Sequence, residues 1–437
     1  MEIAFEKETL DNGLDVIVHE DHSCPIVAVS VWYHVGSKNE RPGLTGFAHL
    51  FEHLMFEGSA HHDSGYFRPL QEVGGALNGS TNTDRTNYWE VVPTPAFERA
   101  LWMESDRMGY LLPALTQEKF ETQRRVVLNE RRQNYENRPY GLVPVALMAA
   151  LYAPNHPYHW VTIGDPDDLR AASLDDVKGF FSTYYHPANA SLAIAGDVQT
   201  RDALDEVRHY FGELPAGRPA TPLELPPTPE HDGARRLVLA DRVELPRLYL
   251  SWPTPPLFAP GDAELDLLGD MLGGGKSSRL YRALVHERRI AIDVSAGQSS
   301  RELASSFSIV ATAAPGHDLA ELEAVIVDEL TMFQTDGPTE DEVVRTRTRI
   351  EADFVYRLQT VGGFGGLSDQ LNAYNVFTGD PGYGAVDFAR YAGVGPDQLA
   401  GAARMHLSAD RRVALSVISG DQDYAMALPG SVSVSPR

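Results

Sequence analysis

The sequence is poor in cysteine: among its 437 residues the one cysteine is Cys24. An intrachain disulfide and a cage of cysteine metal ligands are therefore both excluded. A single cysteine usually behaves as a small apolar residue, so we expect Cys24 to be buried.

Basic residues are also scarce, because 61 acidic side chains stand against 37 basic ones and give a formal net charge of −24. Such a surface repels phosphate backbones, and nucleic acid is not expected as a partner. No apolar run approaches the roughly 20 residues of a membrane span, and residues 1–20 lack the basic and apolar regions of a signal peptide. We therefore expect a cytoplasmic protein without a membrane span, with the periplasm left open if the N-terminus was trimmed.

Prolines cluster in one stretch, with five between Pro219 and Pro229. Proline removes a backbone donor and fixes φ, so this stretch predicts an extended connector. It divides the chain into a first half at residues 1–217, a linker at 218–234 and a second half at 235–437. The halves end alike, in YYHPANASLAIAGD and HLSADRRVALSVISGD, which supports two similar halves.

Alternating segments such as LDVIVHE and PIVAVSVWYHVG predict strands that pair in hairpins. A helix is expected from about Thr45, a good N-cap, to Gly58, a good stop. GGALNGSTNTDRTNYWEVVP predicts a glycine turn leading into a strand, whereas VPVALMAALYAP, TPAFERALWMESDRMGYLL and TQEKFETQRRVVLNERRQNYE predict helices. The fold class is therefore α+β, with a mostly antiparallel sheet covered by helices in each half.

The segment His49-Leu50-Phe51-Glu52-His53 carries the strongest chemical signal. Residues four apart lie on one face of a helix, so both imidazoles can reach a single metal ion. Glu52 projects beside them, close enough to accept a proton from a water on that ion. Two neutral imidazoles, an open coordination position and a nearby carboxylate suit hydrolytic zinc. The apolar neighbours of the motif argue against the alternative, two solvated surface histidines.

Zinc needs a third protein ligand, and Glu130 is the candidate. Val126, Val127 and Glu130 fall at i, i+1 and i+4, so we expect Glu130 on the apolar face of its helix. A carboxylate there needs a partner such as a metal ion. A salt bridge to a neighbour such as Arg131 explains the residue equally well from the sequence alone.

The chain resembles the pitrilysin, insulysin and mitochondrial-processing-peptidase family of zinc peptidases, whose H-x-x-E-H motif is followed by a glutamate after a spacer of 76 residues. Counted from His53, this spacer leads to Glu130. Further matching segments run over nearly the whole chain: DNGLDVIV, GLTGFAHLFEHLMFEGS, GGALNGSTNTDRTNYW, RRVVLNERR, HPY at 156–158, YYHPANASLAIAGD and LGGGKSSRLYRAL.

The resemblance implies that His49, His53 and Glu130 bind one zinc ion per chain and that Glu52 is the general base. It also implies that Asn78 and Gly79 belong to an exposed strand, to which an extended peptide substrate adds as a further strand. From the residues alone, Asn78 is better explained as a turn residue.

Two positions depart from the family pattern. Gln123 stands where the family often has a second acid, and it can hydrogen-bond near the metal but carries no charge. Val285 and Ile292 stand where self-sufficient members carry an arginine and a tyrosine. Neither side chain can donate a hydrogen bond to a peptide carbonyl.

We therefore expect the zinc-bearing subunit of a metalloendopeptidase or oligopeptidase. The expected partner is a homologous subunit without zinc that supplies the arginine and the tyrosine, in a heterodimer. Two alternatives remain: a non-catalytic structural member of the family, and a self-sufficient homodimeric peptidase with another donor.

Overall fold

A computed structural model describes residues 3–218, 222–223, 225–226, 234–420 and 424–436. The strands are β1 Glu6–Thr9, β2 Asp15–Glu20, β3 Ile26–Tyr33, β4 Ala76–Thr81, β5 Thr86–Pro93, β6 Ala190–Gly196, β7 Arg235–Asp241, β8 Arg247–Thr254, β9 Ala291–Ser299, β10 Ser305–Ala313, β11 Val413–Ser419 and β12 Val432–Ser433.

The α-helices are α1 Phe47–Leu54, α2 Phe67–Gln71, α3 Phe97–Ala114, α4 Gln117–Arg131, α5 Val143–Leu151, α6 Pro166–Ala171, α7 Leu174–Tyr184, α8 Thr200–Phe211, α9 Asp262–Gly273, α10 Leu319–Asp336, α11 Glu340–Arg357, α12 Leu367–Thr378, α13 Gly384–Ala392 and α14 Pro396–His406. Two π-helical segments, Arg132–Glu136 and Tyr281–Glu287, follow α4 and precede β9.

The chain forms two compact units that do not follow chain order. The first unit comprises Met1–Arg131, Trp160–Leu225 and Asp353–Val386, and the second comprises Arg132–His159, Pro226–Ala352 and Asp387–Arg437. Each sequence half thus gives a helical segment to the unit built mainly by the other half. The predicted domain bounds of 1–217, 218–234 and 235–437 remain a prediction, and much of 218–234 lies outside the described residues.

The first unit contains a six-stranded sheet in the order β1-β2-β6-β3-β5-β4. β2 and β6 run parallel, and the other neighbouring strands run antiparallel. On one face Phe51 of α1 and Phe181 of α7 pack around Tyr185. The other face is covered by α12, whose Leu367 and Leu371 cluster with residues of β2 and β6.

The second unit repeats this order as β12-β7-β11-β8-β10-β9. β11 again pairs in parallel with the preceding strand in the sheet, β7, as β6 does with β2. Its core lies between the sheet and α9, α10 and α14, whereas α5 packs against β8 and β11. The predicted α+β class with two similar, mostly antiparallel halves is therefore confirmed.

The long predicted helices are present as α3, α4 and α5, but three local predictions are wrong. The segment after Gly75 forms a hairpin of two strands, β4 and β5, rather than one strand. The helix predicted from Thr45 to Gly58 is shorter, because Gly46 takes a left-handed φ of 89° and α1 begins after it. Cys24 is exposed rather than buried.

None of the helices in the described ranges combines the length and the apolar composition that crossing a membrane requires.

Candidate metal centre

Helix α1 presents the metal motif because its apolar side is firmly anchored. Phe51 packs against Phe180 of α7 and against Tyr185, with ring centroids 5.9 and 5.2 Å apart. Leu50 and Leu54 are also fully buried. His49, Glu52 and His53 therefore occupy the remaining side of the helix, where each is half-buried.

The N-terminus of α1 is capped by a residue that the sequence analysis missed. Glu40 is buried, and its carboxylate accepts hydrogen bonds from the backbone N–H groups of Gly46 (2.9 Å) and Ala48 (2.8 Å). The Glu40 carboxyl group thereby satisfies two donors that the helix N-terminus leaves free, and burial raises its pKa to about 8. Thr45, the predicted cap, instead donates its hydroxyl hydrogen to Asp168 at 2.7 Å. Glu40 lies too far upstream for a capping pattern to reveal it.

The structure brings His49, His53 and Glu130 together. Oε2 of Glu130 lies 3.7 Å from Nε2 of His49 and 3.4 Å from Nε2 of His53. In the described part of the chain, these three residues are the one group of histidine, cysteine, aspartate or glutamate side chains that could hold a metal ion. Their ligand atoms all lie within 4.8 Å of one another. Two ligands of a tetrahedral zinc ion are separated by about 3.3–3.5 Å, given its usual bond lengths. The donor set and the spacing fit zinc.

Glu130 comes from the last turn of α4, which packs beside α1. The helix buries Val127, but Val126 is 41% exposed, so Glu130 lies at the edge of the apolar face rather than within it. Two turns before Glu130 on the same helix, Gln123 donates a hydrogen bond to the carboxylate of Glu57. Gln123 also faces His53, whose pKa it helps to raise. The expected hydrogen-bonding role of Gln123 near the candidate ligands is therefore present.

Burial lowers the pKa of His49 to about 4, and the charge of His53 adds to this effect against the attraction of Glu130. His49 is therefore a neutral imidazole at neutral pH, which is the state that binds a metal. Burial alone would also lower the pKa of His53, but hydrogen bonding to Glu130 and the charges of Glu52 and Glu130 raise it. The two carboxylates thus attract positive charge to the point where the ligand atoms meet.

Glu52 belongs to α1, and its carboxyl group contacts Thr81 of strand β4. Burial raises the pKa of its carboxyl group, and the Thr81 hydroxyl, His53 and Arg85 partly oppose the shift. A carboxylate with a raised pKa is a stronger proton acceptor than one in water. Thr81 and Arg85, which lie in and after β4, were not singled out in the sequence.

Asn78 and Gly79 lie in β4, which is the strand at the edge of the first sheet and pairs with β5 on its other side. A Cβ at Gly79 would lie 2.8 Å from the ring of Tyr88 and 3.1 Å from that of Phe56, so only glycine fits. Asn78 is exposed, and its side-chain oxygen accepts a hydrogen bond from the Gly79 N–H at 2.9 Å. The placement in a strand agrees with the family resemblance rather than with a turn, and the substrate role stays a prediction.

The positions of the two missing donors lie in the second unit. Val285 belongs to the π-helical segment 281–287 and packs against the second core. Ile292 is the second residue of β9 and is 49% exposed. Position 292 therefore places an apolar side chain, without a hydrogen-bond donor, on the surface.

Two family models match the chain. The model described as "Insulinase (Peptidase family M16)" matches residues 15–159, and the one described as "Peptidase M16 inactive domain" matches residues 171–350. The chain belongs to the M16 peptidase family. This confirms the resemblance to pitrilysin and insulysin. The match described as inactive contains none of the three candidate ligands.

Relatives of this M16 chain are named as zinc proteases. It is 32% identical to the "Zinc protease PqqE" of Helicobacter pylori over 83% of this chain and 82% of the relative. It is 28% identical to an uncharacterized zinc protease of Streptomyces coelicolor over 95% and 90% of the two chains. A crystal structure of a protease from Helicobacter pylori is similar with a TM-score of 0.88 and 29% identity, covering 95% of this chain and 100% of that one.

Proposed function

We propose that this M16 chain is the zinc-bearing subunit of a peptide hydrolase. His49, His53 and Glu130 hold one zinc ion, and Glu52 acts as the general base. The observation that carries the proposal is the approach of the two Nε2 atoms to Oε2 of Glu130, at 3.7 and 3.4 Å, on a helix that also presents Glu52.

When bound, zinc would supply a Lewis acid that acidifies a water molecule and polarises the peptide carbonyl. The chain's own residues do the remaining work. Glu52 accepts the proton of the attacking water and can pass it to the leaving amine. The raised pKa of Glu52 suits both transfers. The neutral state of His49 keeps its ring available as a ligand rather than as an acid.

The free edge of β4 supports binding of an extended peptide as an added strand. Backbone N–H and C=O groups at a sheet edge pair with a peptide whatever its sequence, while side-chain pockets select among peptides. β4 lies next to α1, so a peptide bond on this edge would be held close to Glu52. Asn78 and Gly79 are the residues that we assign to this contact.

A homologous subunit without zinc would complete the site. The negative charge that develops on the carbonyl oxygen needs hydrogen-bond donors, each worth about 10²–10³ in rate. Valine and isoleucine at positions 285 and 292 cannot donate, so the arginine and tyrosine must come from a partner. The exposure of Ile292 agrees with a surface that a second subunit covers.

The test compares the chain alone, the chain mixed with the homologous protein encoded beside it, and Glu52→Gln in the same mixture. We expect hydrolysis of a peptide mixture to rise steeply on mixing, and to fall by about 10² or more with Glu52→Gln while zinc stays bound. Full activity of the purified chain alone would favour the self-sufficient homodimer. No hydrolysis under any condition, with zinc absent, would favour a structural subunit.

A further inference from the structure

The two faces of strand β4 offer different surroundings to a peptide that pairs with it. Side chains alternate between faces along a strand. Gly79 faces Phe56 and Tyr88, on the same side as α1. Asn78 therefore points to the opposite face, where Trp89 is its direct neighbour on β5.

A short glycine-rich turn, residues 361–366, lies on that opposite face. It precedes α12 and belongs to the first unit, although it comes from the second half of the sequence. A Cβ at Gly362 would lie 2.5 Å from the Cβ of Ala28 and 2.7 Å from a methyl group of Val91, so the turn touches the sheet directly. No residue larger than glycine fits there.

Hydrogen bonds fix the shape of this turn. The N–H of Gly365 donates to the carboxylate of Asp369 at 2.7 Å. The same carboxylate accepts from the indole N–H of Trp32 at 2.7 Å and from the side chain of Asn87 at 2.8 Å, both on the sheet. The backbone of Leu367 also donates to Thr360 at 2.8 Å. These bonds hold the turn against β5, the strand that pairs with β4.

The turn carries one large apolar side chain, Phe364, which is 51% exposed. Its ring meets the ring of Trp89 edge-on, with centroids 5.5 Å apart and an angle of 86°. A rigid turn that displays a half-exposed phenylalanine loses apolar contact unless another group covers the ring.

We propose that Phe364 and Trp89 form an apolar subsite for the substrate side chain that lies beside Asn78. The inference rests on the proposed function, in which a peptide adds to β4. Such a strand would lie about 4.8 Å beyond β4, and its alternate side chains would point to the face of Trp89 and Phe364. The neighbouring side chains would point to the face of α1, where Glu52 lies. The subsite takes a large apolar residue, aromatic or long aliphatic, and disfavours acidic ones.

The experiment uses the chain with its homologous subunit and a series of ten-residue peptides that are rich in serine and alanine, with one phenylalanine moved along the series. We expect one phenylalanine position to raise kcat/KM over the parent peptide by about tenfold, as burial of half an aromatic ring predicts. Phe364→Ala should remove this preference, so that the phenylalanine peptide and the parent peptide are then cleaved with similar kcat/KM. Phe364→Leu should keep most of it.

The matched control is Met405→Ala, which removes an apolar side chain that is 68% exposed on α14 in the second unit. It should leave the preference intact. Binding gives a second measurement: calorimetry with the Glu52→Gln chain and its homologous subunit should show the same tenfold difference between the two peptides, again lost with Phe364→Ala.

An unchanged preference in Phe364→Ala, in an enzyme that still cleaves peptides, would overturn the subsite and leave the proposed function standing. If no peptide is cleaved or bound by the wild-type chain with its homologous subunit, the proposed function fails and the subsite fails with it.

Discussion

The two units share a strand order, yet the helix beside the edge strand differs completely between them. In the first unit α1 presents His49, Glu52 and His53 beside edge strand β4. In the second unit α9 occupies the equivalent place beside edge strand β9. The same fold therefore builds one polar site and one closed apolar contact.

In the second unit, two glycines of α9 allow the helix to lie in close contact with β9. A Cβ at Gly273 of α9 would lie 2.0 Å from the backbone nitrogen of Ala296 on β9, and one at Gly269 would lie 2.8 Å from Gly297. The helix thus lies directly against the edge strand, with no room for long polar side chains between them. In the first unit a polar side chain of the helix, Glu52, instead contacts the edge strand at Thr81.

The largest effect is expected from removing the two histidines. The double variant His49→Ala, His53→Ala should lose its zinc and all measurable hydrolysis, because one carboxylate cannot hold the ion by itself. Elemental analysis of protein purified without added metal is the measurement. The same pair of changes at His286 and His317 in the second unit should leave the zinc content as it is. Equal zinc loss in both double variants would remove the distinction between the units.

A smaller effect is expected from Gly273→Ala in the second unit. Its Cβ meets backbone atoms of β9, so the helix must move, at a cost of about 1–3 kcal/mol in the free energy of unfolding. Chemical denaturation measures this cost. The control is Gly179→Ala on α7 of the first unit, where a Cβ meets nothing within 4 Å. It should stabilise by about 0.5–1 kcal/mol through helix propensity. Similar values for both variants would show that α9 and β9 are not in close contact.

A further prediction concerns pH. Burial raises the pKa of Asp266 on α9 to about 7, with Asp262 and Asp387 adding to the shift and Tyr391 and Arg390 opposing it. The ordinary pKa of an aspartate is about 3.9, so folding takes up a proton between these pH values. The stability that this residue contributes is complete below about pH 4 and is lost as the pH rises to about 7.

Asp266→Asn removes this titration and keeps an oxygen that can accept the hydrogen bond from Tyr391, which measures 2.7 Å. The Tm of the variant minus that of the wild type should therefore increase from about pH 4 to about pH 7 and then level off. A difference in Tm that does not depend on pH would show that Asp266 is ionised in the folded protein throughout this range.

The fold class and the similarity of the two halves could be predicted from the sequence alone. Strand periodicity and the repeated C-terminal segments are local patterns. It also pointed to His49 and His53, whose spacing is a property of one helix. Glu130 was ambiguous, since its approach to α1 depends on how two helices pack. The family resemblance, rather than the residues, favoured Glu130 over a salt bridge.

Other features could not be predicted, because they depend on contacts between distant parts of the chain. Glu40 caps α1 from a loop, and no capping pattern has that spacing. The 353–386 segment returns to the first unit, so Phe364 reaches a sheet built almost entirely by residues far earlier in the sequence. The sequence does not separate β4 from β5, because the turn between them, residues 82–85, contains neither glycine nor proline.

The most direct test of the metal centre is a crystal of the chain grown without added metal, with anomalous diffraction recorded on both sides of the zinc absorption edge. We predict one strong anomalous peak per chain, at bonding distance from Nε2 of His49, Nε2 of His53 and the carboxylate of Glu130, at about 2.0–2.2 Å. A fully ordered site with no such peak, or a peak bound by other residues, would contradict the assignment of this unit as the zinc-bearing one.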